Sequence, residues 1–112
     1  MDIIFRPARA EDAPQLGSVH STTWKETYTG LLPSRLIQEK TAEKCAAVFA
    51  AQHCRNIAVG ISAKHIIGFC GYGKPRDNLI PQNQGEIYGL YVLKEFHRHK
   101  IGTKLLRMAK ET

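Results

Sequence analysis

Cysteine is scarce in this chain, and its three residues, Cys45, Cys54 and Cys70, are odd in number and irregularly spaced. That excludes the disulfide framework of a small secreted domain and fits reduced, partly buried thiols. No Cys-x-x-Cys pair occurs, and His53, Cys54, His97 and His99 lack the spacing of a structural zinc site, so no metal is expected. No apolar run approaches the ~18 residues of a membrane span. The opening Met-Asp-Ile-Ile-Phe is not a signal peptide, which makes the cytoplasm the expected compartment. Repeats, low-complexity segments and linkers are also missing, so the 112 residues form one domain at most. Acidic residues run short in one place. Across residues 94–110, Glu95 alone faces Lys94, Arg98, Lys100, Lys104, Arg107 and Lys110, and much of the net charge of +6 sits there.

What is present is concentrated in residues 85–106. Ile87, Tyr88, Leu90, Tyr91 and Val92 suit a buried strand. Residues 94–100 are mostly polar and positive. From Ile101 the apolar residues recur as Ile101, Leu105, Met108 and Leu106, Ala109, a helical period. The loop therefore delivers a helix N-terminus, with free N–H groups and partial positive charge, beside basic side chains. That combination is an anion site. Gly102 leaves room for a phosphate to approach backbone. A basic patch of this kind suits a ligand with several phosphates, such as coenzyme A, or nucleic acid. For Lys104, Arg107 and Lys110 a solvated helix face is sufficient. The interleaved aromatics of a single-strand platform and a helix-turn-helix signature are both absent, which weighs against nucleic acid.

The remainder reads as alternating elements. Residues 2–6 form a short strand ended by Pro7. Ala13, Leu16, Val19/His20, Thr23/Trp24 and Thr27 mark a helix from about 10 to 27, with Glu11 and Asp12 in its first turn and Gly30 and Pro33 at its end. Residues 34–52 are helical in two pieces broken near Thr41. Ile57, Val59 and Ile61 alternate with Ala58, Gly60 and Ser62 in a second strand. Residues 63–65 make a hairpin turn, residues 66–72 a third strand, and residues 74–84 a loop rich in turn formers.

The 85–106 stretch resembles motif A of the GNAT superfamily, the acetyl-CoA-dependent N-acetyltransferases. Leu90-Tyr-Val92 matches the strand end, and His97-Arg-His-Lys-Ile-Gly102 occupies the loop written Gln/Arg-x-x-Gly-x-Gly/Ala. His97 stands where Gln or Arg is usual, and Lys100 where the first Gly is usual. Ile66-Ile-Gly-Phe69 resembles the strand before motif A. Arg6-Pro-Ala-x-x-Glu-Asp-Ala13 and Trp24-x-x-x-Tyr-x-Gly-Leu-Leu-Pro33 resemble the start of one bacterial branch. The implied fold is α/β (α+β), a mixed sheet in the order β-α-α-β-β-β-α. It lacks the strand, helix and two strands with which the family normally continues. The expectation is either a piece of a longer chain or self-association as a homodimer through the edge of the motif A strand.

The resemblance also implies roles. Acetyl-CoA would be the cosubstrate and a primary amine of a small molecule or peptide the acceptor. The backbone of Leu90, Tyr91 and Val92 would meet the acetyl and pantetheine portion, at a bulge whose freed N–H polarises the thioester carbonyl. His97, Arg98, His99, Lys100, Ile101, Gly102 and Thr103 would wrap the pyrophosphate. Glu86, at the start of the strand, is the candidate general base, with an exposed strand-end carboxylate as the equal alternative. Trp24 and Tyr28, one turn apart on a helix that walls the acceptor site in this family, are candidate acceptor contacts or a core pair. The usual general acid, a tyrosine, belongs to the family's C-terminal part. Two other readings stay open: a coenzyme A-binding fragment without turnover, and a small basic nucleic-acid-binding protein.

Overall fold

The computed structural model describes residues 2–73 and 86–110, and for residues 86–88 the backbone alone. The expected loop at 74–84 lies outside the described residues. Strand β1 (Ile4–Pro7) is followed by a 3-10 turn (Ala10–Asp12) and helix α1 (Ala13–Tyr28). Helices α2 (Ser34–Gln38) and α3 (Ala42–Ala51) come next. Strands β2 (Ile57–Ser62), β3 (His65–Gly73) and β4 (Glu86–Val92) then lead through a 3-10 turn (Lys94–Phe96) to helix α4 (Ile101–Lys110). This is the expected order, including the break between the middle helices. Thr41 makes that break by capping α3, its side chain accepting the Lys44 N–H at 3.2 Å.

The described strands form one sheet in the order β1-β2-β3-β4, and each pairing is antiparallel. Pro7 is the last residue of β1 rather than its stop, which an edge strand tolerates. The hairpin between β2 and β3 turns on two residues, Ala63 and Lys64, at φ 50° and 70°; Ser62 pairs with His65, so His65 already belongs to the strand. Both φ values match a tight turn of mirror-image type.

Helices cover both faces of the sheet, so the alternation in β2 separates two cores rather than a wet face from a dry one. Ile57 and Val59 join Leu16, Val19 and Phe69 under α1. Ala58 joins Ile67, Cys70, Ile101 and Leu105 under α4. Small residues on the α4 side admit that helix closely: a Cβ on Gly60 would lie 3.5 Å from Ile101 Cγ2. Ile101, Leu105 and Ala109, one turn apart, are the buried stripe of α4, and Leu105 is 0% exposed. Burying each of the two larger side chains contributes about 1.5–3 kcal/mol, which fixes where the helix begins. On the other face α1 crosses α3 at Gly17, where an added Cβ would lie 2.5 Å from the Ala42 oxygen and the Ala46 nitrogen.

Asp12 does more than place charge near the start of α1. Arg6 grips it with both guanidinium nitrogens, at 2.8 and 3.1 Å, and the Arg9 N–H donates to it at 2.7 Å. The Arg6 hydrogen bonds, opposed by burial and helped by the Arg9 N–H, hold the Asp12 carboxyl below its usual range. The pair ties β1 to α1. Cys45, Cys54 and Cys70 are free and buried, and burial pushes each thiol up, away from the reactive thiolate. Among the described residues no helix is long and apolar enough to cross a membrane.

Candidate active site

Strand β4 is the sheet edge among the described strands, and its pleat decides what it offers there. The Leu93 N–H donates to Ile67 O of β3 at 2.9 Å. Alternation then turns the N–H and C=O of Tyr91 toward β3, and those of Leu90 and Val92 outward. His97 reads out the outward set: its Nε2 lies 2.9 Å from Val92 O. The side chains divide the opposite way. Tyr91 packs under α1, its ring 5.1 Å from Phe69 and 4.8 Å from His20. Leu90 and Val92 face the α4 side, and Leu90 Cδ2 lies within reach of a Cβ added to Gly102. So of the three residues expected to meet a ligand through backbone, two present it and Tyr91 spends it on the sheet. The bulge falls elsewhere than expected. Gly71 pairs with Gly89 and Tyr72 with Ile87, which leaves Tyr88 as the extra residue, two positions before Leu90.

The loop beyond β4 is held in left-handed backbone at two points, Arg98 at φ 74° and Lys100 at φ 60°. Each costs a side-chain-bearing residue roughly 1–2 kcal/mol. The second explains why a glycine suits that place. Lys100 is also the helix cap, since its carbonyl accepts the Lys104 N–H at 3.1 Å. The N–H groups of Ile101, Gly102 and Thr103 are then the unpaired donors of the first turn. They open on a groove of about 430 Å³ between Leu90 and Val92 on one side and His97, Arg98 and Lys100 on the other. A Cβ at Gly102 would meet only Leu90 Cδ2, at 3.4 Å, an ordinary contact. Packing therefore does not demand glycine there. His99 lies outside the groove wall.

The Val92 contact fixes more than the ring position of His97. A carbonyl only accepts, so Nε2 carries the hydrogen, and the neutral ring keeps Nδ1 as an acceptor. His97 can offer a phosphate a second N–H only as imidazolium.

A second cleft, of about 360 Å³, lies on the other side of β4's outer edge, between Thr23, Glu26 and Thr27 of α1 and the Leu90–Val92 segment. It shares Leu90, Val92 and His97 with the groove. Glu26 Oε1 accepts the Lys94 N–H at 3.1 Å, a cap supplied from α1 to the first residue of the 3-10 turn. Sequence reading missed Glu26, because a single glutamate on a helix carries no spacing signal. It also missed His20, which stands among Phe49, Phe69 and Tyr91; burial first, and Lys40 second, push its pKa down, so the ring is neutral near pH 7. His20 lines a separate cavity of about 610 Å³ under α1 and α3.

Three expected site residues lie apart. Glu86 pairs with Gly73 at the far end of β4, and its side chain lies outside the described residues. Four residues of strand put it about 13 Å from Leu90. Trp24 and Tyr28 pack with ring centroids 4.6 Å apart and planes tilted by 51°, and Lys40 Nζ sits 4.7 Å from the Trp24 ring centroid. Neither ring lines the groove or the cleft.

A strand edge with outward N–H groups, meeting a groove at a helix N-terminus lined by basic side chains, is chemically suited to an anionic ligand. Residues 16–112 match the acetyltransferase (GNAT) family, and the chain belongs to that family. It is 24% identical over 110 residues to the uncharacterized N-acetyltransferase YuaI of Bacillus subtilis (strain 168), spanning 97% of this chain and 63% of that protein. It is similar to the PaiA N-acetyltransferase of Thermoplasma acidophilum, crystallised in complex with coenzyme A. That match has a TM-score of 0.80 at 26% identity, over 99% of this chain and 71% of that one. A GNAT family acetyltransferase from Brucella melitensis, in complex with acetyl-CoA, shares the fold with a TM-score of 0.67 at 19% identity, over 96% of this chain and 65% of that one.

Proposed function

We propose that this chain forms the coenzyme-binding part of an enzyme that moves an acetyl group from acetyl-CoA to a primary amine of a small molecule or peptide. The observation that carries this reading is the groove at the start of α4: three unpaired N–H donors, Gly102 with only an ordinary contact to Leu90 over it, and Arg98 and Lys100 in its wall. The pyrophosphate lies against those donors, and the two cations add charge-assisted contacts. The acyl arm runs along the outer edge of β4. An outward N–H, of Leu90 or Val92, donates to the thioester oxygen. The amine nitrogen attacks the carbonyl carbon, the C–N bond forms and the C–S bond breaks. The proton lost by the amine balances the one gained by the departing thiolate. Glu86 is the proposed base, acting through water given its place at the other end of the strand. Acceptor contact by Trp24 and Tyr28 belongs to the same proposal, for an acceptor that extends along α1 past Thr27.

Calorimetry with coenzyme A tests the reading. Gly102→Val puts a branched side chain between the helix start and Leu90 and should abolish binding, whereas Gly102→Ala, a fit for the fold, should weaken it. Unchanged affinity in Gly102→Val places the site elsewhere. Binding by the parent chain without acetyl transfer to any amine would assign it coenzyme binding alone.

A further inference from the structure

His20 is a half-buried base to which acetyl transfer as described gives no task. Three rings enclose it, with centroids at 5.9 Å for Phe49, 6.2 Å for Phe69 and 4.8 Å for Tyr91. Among the described residues neither of its ring nitrogens has a hydrogen-bond partner. Trp24 Nε1 is the one unpartnered side-chain atom sealed from solvent there, so the His20 nitrogens are reached from the cavity of about 610 Å³ that the ring lines. Tyr91 lines both that cavity and the cleft at the outer edge of β4, and Thr23, one turn along α1, lines the cleft too. His20 therefore stands beside the approach to that edge from the α1 side. The charge around it is one-sided. The described wall of the cavity holds Lys40 and Arg55 and no carboxylate, and the ion pairs of the described residues, Arg6–Asp12 and Arg9–Glu11, include neither cation. Tyr72 and Tyr91 are the other titratable groups in that wall. Such surroundings disfavour an ammonium against its free amine.

We infer that His20 takes the first proton from the acceptor, converting the arriving ammonium to the free amine that attacks. This deepens the acetyltransfer reading and rests on it. An ammonium loses two protons on its way to an amide nitrogen. In the first loss an N–H bond of the ammonium breaks, and its proton binds the lone pair of a His20 nitrogen. The imidazolium then passes that proton to water in the cavity. The second proton leaves as the C–N bond forms, and it is the one already assigned to Glu86. A neutral base suits the first step. A carboxylate at this place would pair with the ammonium and hold it charged, whereas a neutral ring beside Lys40 does not. Burial, with Lys40 second, keeps the ring neutral near pH 7 and so able to accept.

Two measurements on the full chain test this. Ring ¹³C–¹H spectra identify His20 by its proximity to the rings of Phe49, Phe69 and Tyr91. Butylamine should move those signals and shift the His20 titration to lower pH, because an ammonium donating to the ring occupies the lone pair that a proton needs. Signals that stay still, or an unmoved titration, would overturn the inference. Acetyl transfer from acetyl-CoA to butylamine is then followed between about pH 6 and 10. His20→Gln should lower the rate by ~10²-fold at pH 7, and the gap should close as rising pH supplies free amine from solution. A gap independent of pH, the mark of a structural role, or no transfer by the parent chain overturns it too. The amides of Gly102 and Thr103, followed in ¹⁵N–¹H spectra with coenzyme A, keep the two readings apart. If they move while His20 ignores butylamine, the inference about His20 fails alone; if His20 responds while they stay still, the coenzyme reading fails alone.

Discussion

Lys100 offers a direct test of how the groove is built. Its backbone sits at φ 60°, where a Cβ crowds the following carbonyl and glycine has no such conflict. Lys100→Gly removes roughly 1–2 kcal/mol of strain at the helix cap, a position that also accepts glycine well. Glycine gives back part of that through the freer unfolded chain, so the net gain is about 0.5–1 kcal/mol. Lys100→Ala removes the same charge and the same side-chain atoms beyond Cβ but keeps the strain. The comparison between these two variants therefore isolates the backbone. In urea, with a slope near 1–3 kcal/mol per molar, the glycine variant should unfold at a midpoint about 0.2–1 M above the alanine variant. Circular dichroism gives that number directly. Equal midpoints would mean that the left-handed turn at Lys100 is not a feature of the folded chain.

Two further outcomes follow from the geometry. Asp12 has a depressed pKa, so its contribution is fully present above the unfolded value near 4 and is lost as pH falls through the lower folded value. Asp12→Asn should accordingly cost about 1–3 kcal/mol at pH 7, and the gap from the parent chain in urea midpoints should narrow steadily below about pH 4; a gap independent of pH would detach the effect from this carboxylate. If Glu86 is the base, Glu86→Gln in an active form should lower the acetylation rate by ~10²–10⁴-fold at neutral pH with coenzyme affinity kept, and equal rates would make it a bystander.

Much of the fold was legible because two periods and a few punctuation residues carry it. The recurrence of Ile101, Leu105, Met108 and of Leu106, Ala109 announced α4, although the buried stripe is Ile101, Leu105 and Ala109, and Gly30 and Pro33 announced the end of α1. The groove at the start of α4 was legible for the same reason, since a strand, a basic loop and a helix start imply free N–H groups whatever the packing. Three things were not. The position of the bulge at Tyr88 depends on which residue of β3 faces which residue of β4, and pairing register is a long-range fact. The division of Leu90, Tyr91 and Val92 into two outward and one inward backbone depends on that same register. The role of Asp12 was read from its place in a first turn, but Arg6 reaches it from another element, where the sequence shows only two charges six residues apart.

Ile101 shows why site and core cannot be treated separately in this chain. Its side chain is 2% exposed and packs with Ala58, Ile67 and Cys70, while its N–H is the first of the three donors that open on the groove. One residue thus sets both the depth of the helix against the sheet and the aim of its first free N–H. Rotating α4 to re-aim that donor would lift Ile101, Leu105 and Ala109 from the small-residue surface that receives them. At about 25 cal/mol per Å² of apolar area, uncovering even part of that stripe costs more than one hydrogen bond to a ligand returns. The groove is consequently fixed before a ligand arrives. Adjustment on binding falls instead to the side chains around it, above all to His97, whose ring is held by a single bond to Val92 O.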